Sequence, residues 1–354
     1  MSTNALIHFI NALDVSATQA VEIQIEEGVV RGLSLQRANL TTIPDALQAF
    51  DQLETLFLDD NQLEQLPDWL FALPKLRTLS VNGNRLDTLP ADLGTLQALS
   101  LRHNQFKRLP ETLFGVTTLQ MLSVGGNSLG EVSAEIGNLS NLQELYLDTS
   151  PLTQIPAQIG SLQQLRTLDL GHNQLSNLPD SIFELAKLEV LYASDQHLTT
   201  MPDAIGQLTT LRYLNWTDNR LTRLPDAIGK LENLRELRLY NNQLTSLPAT
   251  FTQLTSLREL YLRNNPLAEL PDSMGALAKL RVLDCRNCHL IALPASVGEL
   301  SGLTDLDLRA NRMTHLPESL AELTGLEKLD LRWNRLLFRP KWLNERTKQG
   351  IAYE

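Results

Sequence analysis

The sequence predicts an α/β solenoid: a right-handed coil with a parallel sheet on its concave face and short helical or 3₁₀ turns on its convex face. Three observations predict this fold. The pattern LxxLxLxxNxL recurs fourteen times between residues 30 and 336, every 23 residues apart from one step of 20. A segment of the form LPxxIGxL follows the copies, as at 224–231. The 43% hydrophobic content is largely aliphatic, since aromatic residues supply only 5%. Self-similarity at a short fixed period is typical of stacked repeats.

Each copy contains a Leu-x-Leu core, such as Leu56 and Leu58, that predicts a short strand. Successive side chains of a strand point to opposite faces of its sheet. The leucines therefore face inward, and the residue between them faces outward on the concave side. Because one repeat cannot bury its own leucines, neighbouring repeats must stack into a parallel sheet.

The asparagine of the LxxLxLxxNxL pattern, at what we call the ladder position, indicates how the chain bends inward without leaving peptide groups unpaired. An Asn side chain both donates and accepts hydrogen bonds, so it can bridge the loops of neighbouring repeats. Ten of the fourteen copies carry it, and the exceptions are Ala38, Ser150, Gln196 and Cys288. Ala38 offers no polar group, which fits a half-formed repeat beside a terminal cap.

The LPxxIGxL segments predict the convex side of the solenoid. Proline suits the first turn of a short helix, because its missing N–H has no intrahelical partner there. An acidic residue often follows, as at Asp203 and Asp226, where its charge faces the positive end of the helical turn.

Three segments are predicted along the chain. Residues 1–28 form an N-terminal cap, residues 29–338 the fourteen repeats, and residues 339–354 a C-terminal cap. The first cap is expected to hold an amphipathic helix and then a strand at 21–25. The second is expected to be a helix that lays Trp342 and Leu343 over the last repeat. With both ends covered, the chain is expected to be complete.

The unit LPxxIGxLxxLxxLxLxxNxL resembles the 23-residue repeat of the plant intracellular Ras-group-related leucine-rich-repeat proteins. It is also similar to the repeats of bacterial leucine-rich-repeat proteins and type III effectors. The resemblance spans residues 29–338, and it implies a leucine-rich-repeat horseshoe that acts by binding, without naming a target. Effectors of this kind that ligate ubiquitin carry a separate catalytic domain after the repeats. The chain ends at Glu354, so that activity is not expected.

Charge and hydropathy argue against several other functions. The formal net charge of −11 is opposite to the clustered basic charge of a nucleic-acid binder. No run approaches the roughly 18 apolar residues of a membrane span, and the N-terminus does not resemble a secretory signal. We therefore expect no nucleic-acid or membrane partner. The protein is expected to be cytoplasmic, or exported by a route that needs no signal peptide, with monomer as the default state.

The sequence holds no motif that predicts catalysis, a cofactor or a metal site, so an enzyme is not expected. Phosphate-binding, GxSxG and HExxH patterns are absent. The two cysteines, Cys285 and Cys288, form a CxxC, but they replace a strand leucine and the ladder asparagine. Both are expected to point into the core, since zinc would need two more ligands.

Aromatic and cationic residues cluster on the predicted concave face. Five of the six tyrosines occupy outward-facing positions of the central repeats, although aromatic residues make up only 5% of the chain. Tyrosine and arginine often anchor interfaces. The candidate partner-binding residues are Tyr146, Tyr192, Tyr213, Arg238, Tyr240, Tyr261 and Arg263. The alternative is that the tyrosines only stabilise the sheet, because sheets favour stacked aromatic residues.

Two other features of that face have their own expected roles. Three aspartates each precede an arginine by two residues and predict a self-neutralising stripe of ion pairs: Asp284 and Arg286, Asp307 and Arg309, Asp330 and Arg332. A run of small residues predicts a shallow bare patch beside Tyr146 that could take a partner side chain: Ser100, Ser123, Gly125 and Gly126.

The sequence therefore predicts a scaffold that binds a protein or peptide on its concave face. Two alternatives stay open. One is a secreted bacterial effector that acts on a host protein, as the resemblance implies. The other is a glycan-binding module, because tyrosines and carboxylates on a curved sheet can hold sugars.

Overall fold

The computed structural model describes residues 21–348 of the chain. The chain divides into two compact units, Met1–Asn173 (unit 1) and Gln174–Glu354 (unit 2). Within residues 21–348, no helix has the length and apolar character needed to cross a membrane.

In unit 1, strand β1 (Glu22–Glu26) pairs antiparallel with β2 (Val29–Ser34), and β2 to β8 then pair in parallel in chain order. The central leucines of neighbouring strands lie opposite one another. The later strands are β3 (Thr55–Phe57), β4 (Thr78–Ser80), β5 (Ala98–Ser100), β6 (Met121–Ser123), β7 (Glu144–Tyr146) and β8 (Thr167–Asp169). The turns between them are the helical turn α1 (Asp68–Phe71) and 3₁₀ segments Asp45–Ala49, Glu111–Gly115, Ala134–Asn138 and Ala157–Ser161.

Unit 2 repeats the arrangement, with strands β9 to β15 parallel in chain order. They are β9 (Val190–Tyr192), β10 (Tyr213–Asn215), β11 (Glu236–Arg238), β12 (Glu259–Tyr261), β13 (Val282–Asp284), β14 (Asp305–Asp307) and β15 (Lys328–Asp330). The 3₁₀ segments are Asp180–Glu184, Asp203–Gln207, Asp226–Lys230, Ala249–Gln253, Met274–Ala276, Ala295–Glu299 and Glu318–Glu322, and helix α2 spans Lys341–Lys348. The predicted α/β solenoid, with a parallel sheet and short 3₁₀ turns, is confirmed.

Proline begins most of the 3₁₀ turns from a position just outside them. Pro225 lies at the N-cap with φ −72° and ψ 152°, and its carbonyl oxygen accepts from the N–H of Ile228 at 3.1 Å. The expected place of proline, inside the first turn, was therefore wrong by one residue. The fixed φ of proline and its missing N–H are equally compatible with this extended position. Asp226 begins the turn, as predicted.

The buried asparagines bridge neighbouring repeats as predicted. Asn265 is 1% exposed, and its Nδ2 donates to the carbonyl oxygens of Leu239 at 3.0 Å and Leu262 at 2.7 Å. Its Oδ1 accepts from the N–H of Leu244 at 3.0 Å. One amide therefore satisfies peptide groups in its own repeat and in the one before it, which lets the chain bend inward without unpaired buried groups.

The CxxC cysteines lie in the core, as expected for structural residues. Cys285 and Cys288 are both fully buried. Cys288 takes the asparagine position, where its Sγ donates to the carbonyl oxygen of Leu262 at 3.2 Å. The hydrogen bond with Cys288 and burial raise the pKa of the Cys285 thiol well above its ordinary value. Within residues 21–348, no group of His, Cys, Asp and Glu side chains could hold a metal ion.

The two predicted caps fall partly outside the described residues. The helix expected around Leu6 to Leu13 lies there entirely. At the other end, helix α2 contains Leu343, which is buried. The boundaries proposed at residues 28 and 338 stay predictions.

The residue just before each ladder position adopts a left-handed backbone, and this makes Ala310 a weak point of unit 2. Asn241, Asn264 and Asn287 have φ between 53° and 57° and donate side chain to side chain down the column. Ala310 has φ 54° and no amide to continue the series. An alanine in this region is strained by about 1 kcal/mol, whereas asparagine tolerates it.

We expect Ala310→Asn to raise the free energy of unfolding by about 1 kcal/mol, measured by urea denaturation. Ala310→Gly, which relieves the strain but offers no amide, should gain less. A decrease in stability for Ala310→Asn would contradict this account.

Candidate binding surface

The exposed face of the unit 2 sheet gathers six of the seven candidate residues. Its strands place one outward side chain on each side of the buried central leucine, and a third column follows the strand. We call the following set the unit 2 surface: Tyr192, Tyr213, Arg238, Tyr240, Tyr261 and Arg263. All six side chains are half-buried. The parallel register sets Tyr213 opposite Glu236 and Arg238 opposite Tyr261.

Four of these residues form a continuous layer. The rings of Tyr192 and Tyr213 lie 4.8 Å apart between centroids, tilted by 43°. The guanidinium carbon of Arg238 lies 5.6 Å from the centre of the Tyr213 ring and 5.2 Å from that of Tyr261. A guanidinium at this distance is attracted to the faces of both rings. The layer therefore combines apolar ring area with held polar groups.

Two glutamates fix the layer from the neighbouring column. The Arg238 Nε donates to Glu236 Oε1 at 2.6 Å, and the Tyr261 hydroxyl donates to Glu259 Oε2 at 2.7 Å. Burial, aided by the hydrogen bond to Glu259, raises the pKa of Tyr261 well above its ordinary value. Burial likewise raises the pKa of Tyr213. Both phenols are therefore neutral near pH 7, so each keeps a hydroxyl proton.

Arg263 and Tyr240 form a second pair in the third column. The Arg263 guanidinium carbon lies 4.3 Å from the centre of the Tyr240 ring, the shortest cation–ring distance found on this face in the described residues. The Arg263 Nε is buried and has no hydrogen-bond partner there.

Tyr146, the seventh candidate, belongs to unit 1. It ends β7, and its hydroxyl donates to Glu144 Oε2 at 2.8 Å. This geometry matches that of Tyr261 and Glu259 in unit 2. Tyr146 is therefore not part of the unit 2 surface.

The predicted Asp–Arg stripe of unit 2 is self-neutralising. Arg309 bonds both Asp307 and Asp330, with its Nε 3.1 Å from Asp330 Oδ2. Arg332 Nη2 lies 2.6 Å from Asp330 Oδ2, and Arg286 is 3.5 Å from Asp284. Tyr261 and the first two pairs of this stripe, Asp284 with Arg286 and Asp307 with Arg309, line a depression of about 370 Å³.

In unit 1, an ion pair that the sequence analysis missed crosses the patch predicted to be bare. Arg102 donates to both oxygens of Asp148, at 2.7 and 2.6 Å, from two repeats away. It can do so because Gly125 lies between them in the same column. A Cβ there would approach Asp148 Oδ1 to 2.5 Å. The Arg-Gly-Asp order down that column was the signal that could have revealed the pair.

Beside this pair lies Asp169, whose charge is poorly compensated. Burial, and then the negative charge of Asp148, raise the pKa of Asp169 to about 6 from its ordinary value of 3.8. Its Oδ1 accepts from the N–H of Gly171 at 2.9 Å. A carboxyl group with a raised pKa binds its proton more tightly when folded, so its charge destabilises the fold above pH 6. That penalty disappears as the pH falls towards 3.8.

We expect Asp169→Asn, which keeps the acceptor for Gly171, to stabilise the protein by about 1–2 kcal/mol at pH 7.5. The gain should vanish by pH 4, as measured by denaturation across pH. Asp148→Asn should act in the opposite direction at pH 7.5. Burial raises the pKa of Asp148, but Arg102 outweighs it and lowers the value. A pH-independent gain for Asp169→Asn would refute this explanation.

Solved structures share the fold of this chain. A leucine-rich-repeat protein of Leptospira interrogans is 29% identical, with a TM-score of 0.75 over 91% of this chain and 94% of that protein. The plant peptide hormone receptor RGFR1, solved in complex with RGF2, is 29% identical, with a TM-score of 0.64. That match covers 83% of this chain and 54% of the receptor chain. An internalin of Listeria monocytogenes, InlF, is 20% identical with a TM-score of 0.66 over 95% of both chains, and shows the fold alone.

The family comparison agrees with the fold. No curated protein matches the chain in sequence. A leucine-rich repeat region model matches residues 133–212 and 254–336, and a leucine rich repeat model matches residues 29–86 and 209–267. Together the two models span most of the repeats described above. The chain belongs to the leucine-rich-repeat proteins.

Proposed function

We propose that the protein is a binding scaffold whose unit 2 surface takes a protein or peptide ligand. The observation that carries the proposal is the continuous layer in which Arg238 lies between Tyr213 and Tyr261, with Tyr192 stacked on Tyr213. Tyrosine and arginine side chains provide much of the binding energy at protein interfaces. Here neighbouring strands hold them in place before a ligand arrives, which lowers the entropy lost on binding.

The family supports a general role in protein binding. Leucine-rich-repeat proteins generally mediate protein–protein interaction, and most are not enzymes. RGFR1, a plant peptide hormone receptor, is solved in complex with RGF2. The unit 2 surface adds a specific place on this chain where a peptide could lie across the strands.

A random peptide library tests the proposal. Peptides selected by the wild-type protein should lose about a hundredfold or more in affinity for a Tyr192→Ala, Tyr213→Ala and Tyr261→Ala variant. Isothermal titration calorimetry would measure the dissociation constants, and circular dichroism would show that the variant is folded.

Tyr146→Ala is the matched control, because Tyr146 has the same hydroxyl–glutamate geometry in unit 1. It should bind the selected peptides as the wild type does. If the wild type selects no peptide, or if a folded triple variant binds with unchanged affinity, the proposed function is wrong. The tyrosines would then serve to stabilise the sheet.

A further inference from the structure

The arginines that follow the strands of unit 2, together with Arg238 on β11, are paired with carboxylates, with one exception. The pairs are Arg238 with Glu236, Arg286 with Asp284, Arg309 with Asp307 and Asp330, and Arg332 with Asp330. Arg263 has no such partner among residues 21–348. The guanidinium N–H donors of Arg263 are therefore not taken up by a carboxylate, as those of its neighbours are.

The surroundings of Arg263 hold its guanidinium in a defined orientation. The group lies over the Tyr240 ring at 4.3 Å, so one face is covered by the ring. Its Nε is enclosed, whereas the side chain as a whole is half-exposed. The Nη atoms at the far end are thus the donors that a ligand can reach. Donors in the plane of a stacked guanidinium match the two oxygens of a carboxylate.

We propose that Arg263, stacked on Tyr240, is the point at which the unit 2 surface binds a carboxylate of its ligand. The proposal rests on the proposed function and specifies its ligand: a peptide that bears a carboxylate, from an acidic side chain or from its own C-terminus. Asp284, the acid of the next repeat, interacts with the charge of Arg263 but forms no ion pair with it. Asp284 pairs instead with Arg286, whose backbone N–H also donates to it at 3.1 Å.

The charge of the chain limits the ligand further. A net charge of −11 repels strongly acidic partners at long range. A peptide that is otherwise neutral or basic and places one carboxylate at Arg263 fits both the net charge of the chain and the guanidinium that has no carboxylate partner. Tyr213 and Tyr261 then supply apolar contact beside it.

Three synthetic random peptide libraries test the inference and separate the two sources of carboxylate. The first contains Asp and Glu and has amidated C-termini, the second lacks Asp and Glu but has free C-termini, and the third lacks both kinds of carboxylate. Binders should come from the first or the second library, and the source that yields them identifies the carboxylate. The third library should yield none of comparable affinity.

The role of Arg263 is tested on the selected peptides. Arg263→Gln should weaken binding about tenfold or more, and neutralising the peptide carboxylate should weaken wild-type binding by a similar factor. The two changes together should add little to either alone. Arg286→Gln is the matched control and should have a smaller effect, because Arg286 already pairs with Asp284.

Equal recovery from the third library would overturn the inference while leaving the proposed function intact. So would unchanged binding by Arg263→Gln. Failure of all three libraries to yield a binder would overturn both the inference and the proposed function.

Discussion

Replacing Asn265 with alanine is expected to lower the free energy of unfolding by about 3 kcal/mol or more. The change leaves the carbonyl oxygens of Leu239 and Leu262 and the N–H of Leu244 without the amide that bonds them. The site is 1% exposed, so water cannot replace those bonds without opening the repeat. Each buried group left unpaired costs about 1–3 kcal/mol.

Urea denaturation followed by circular dichroism measures the loss. Gln243→Ala, a change at an exposed side chain, serves as the control and should stay within about 0.5 kcal/mol of the wild type. If Asn265→Ala is as stable as Gln243→Ala, the ladder does not stabilise the fold in the way described.

A second large effect on stability is expected at two core residues of unit 2 whose sizes compensate each other. Trp216 and Ala193 occupy the inward leucine position in neighbouring repeats, and both are fully buried. The Ala193 N–H donates to the carbonyl oxygen of Asn215, directly beside Trp216. A large residue beside a small one keeps the core filled. The Trp216 Nε1 is buried without a hydrogen-bond partner in the described structure, which adds a polar cost at this site.

We expect Trp216→Leu to destabilise the protein by about 2–3 kcal/mol through the cavity it leaves. Ala193→Leu should destabilise it by about 1–3 kcal/mol through overpacking. The double variant should lose at least about 1 kcal/mol less free energy of unfolding than the two single variants lose in sum, because the added methyl groups fill the cavity. A double-mutant cycle from denaturation curves measures this coupling. Simple additivity would show that the two sites do not share their space.

The repeat spacing was sufficient to predict the fold, because each leucine and asparagine performs a role set by its place in the period. Asn265 and Leu260, for example, occupy the asparagine and leucine positions of the pattern, and both are buried as those positions require. The outward positions of Tyr213 and Tyr261 also follow from strand alternation. These are properties of one repeat and its immediate neighbour.

The sequence could not predict the features that depend on side-chain conformation or on residues in different repeats. Alternation places Arg238 on the exposed face, but it does not determine that the guanidinium lies between two rings. The pair of Arg102 with Asp148 needs a glycine in between and spans two repeats. The isolation of Arg263 becomes visible only when the partners of its neighbours are known.

Photo-cross-linking tests whether the unit 2 surface binds a peptide. A library-selected peptide carrying a photoreactive group would be irradiated with the wild-type protein, and the linked segments identified by mass spectrometry. We predict cross-links to strands β10 to β12 and to the residues that follow them, Tyr240 and Arg263. Cross-links confined to the opposite side, at 3₁₀ turns such as Asp226–Lys230 and Ala249–Gln253, would contradict the claim.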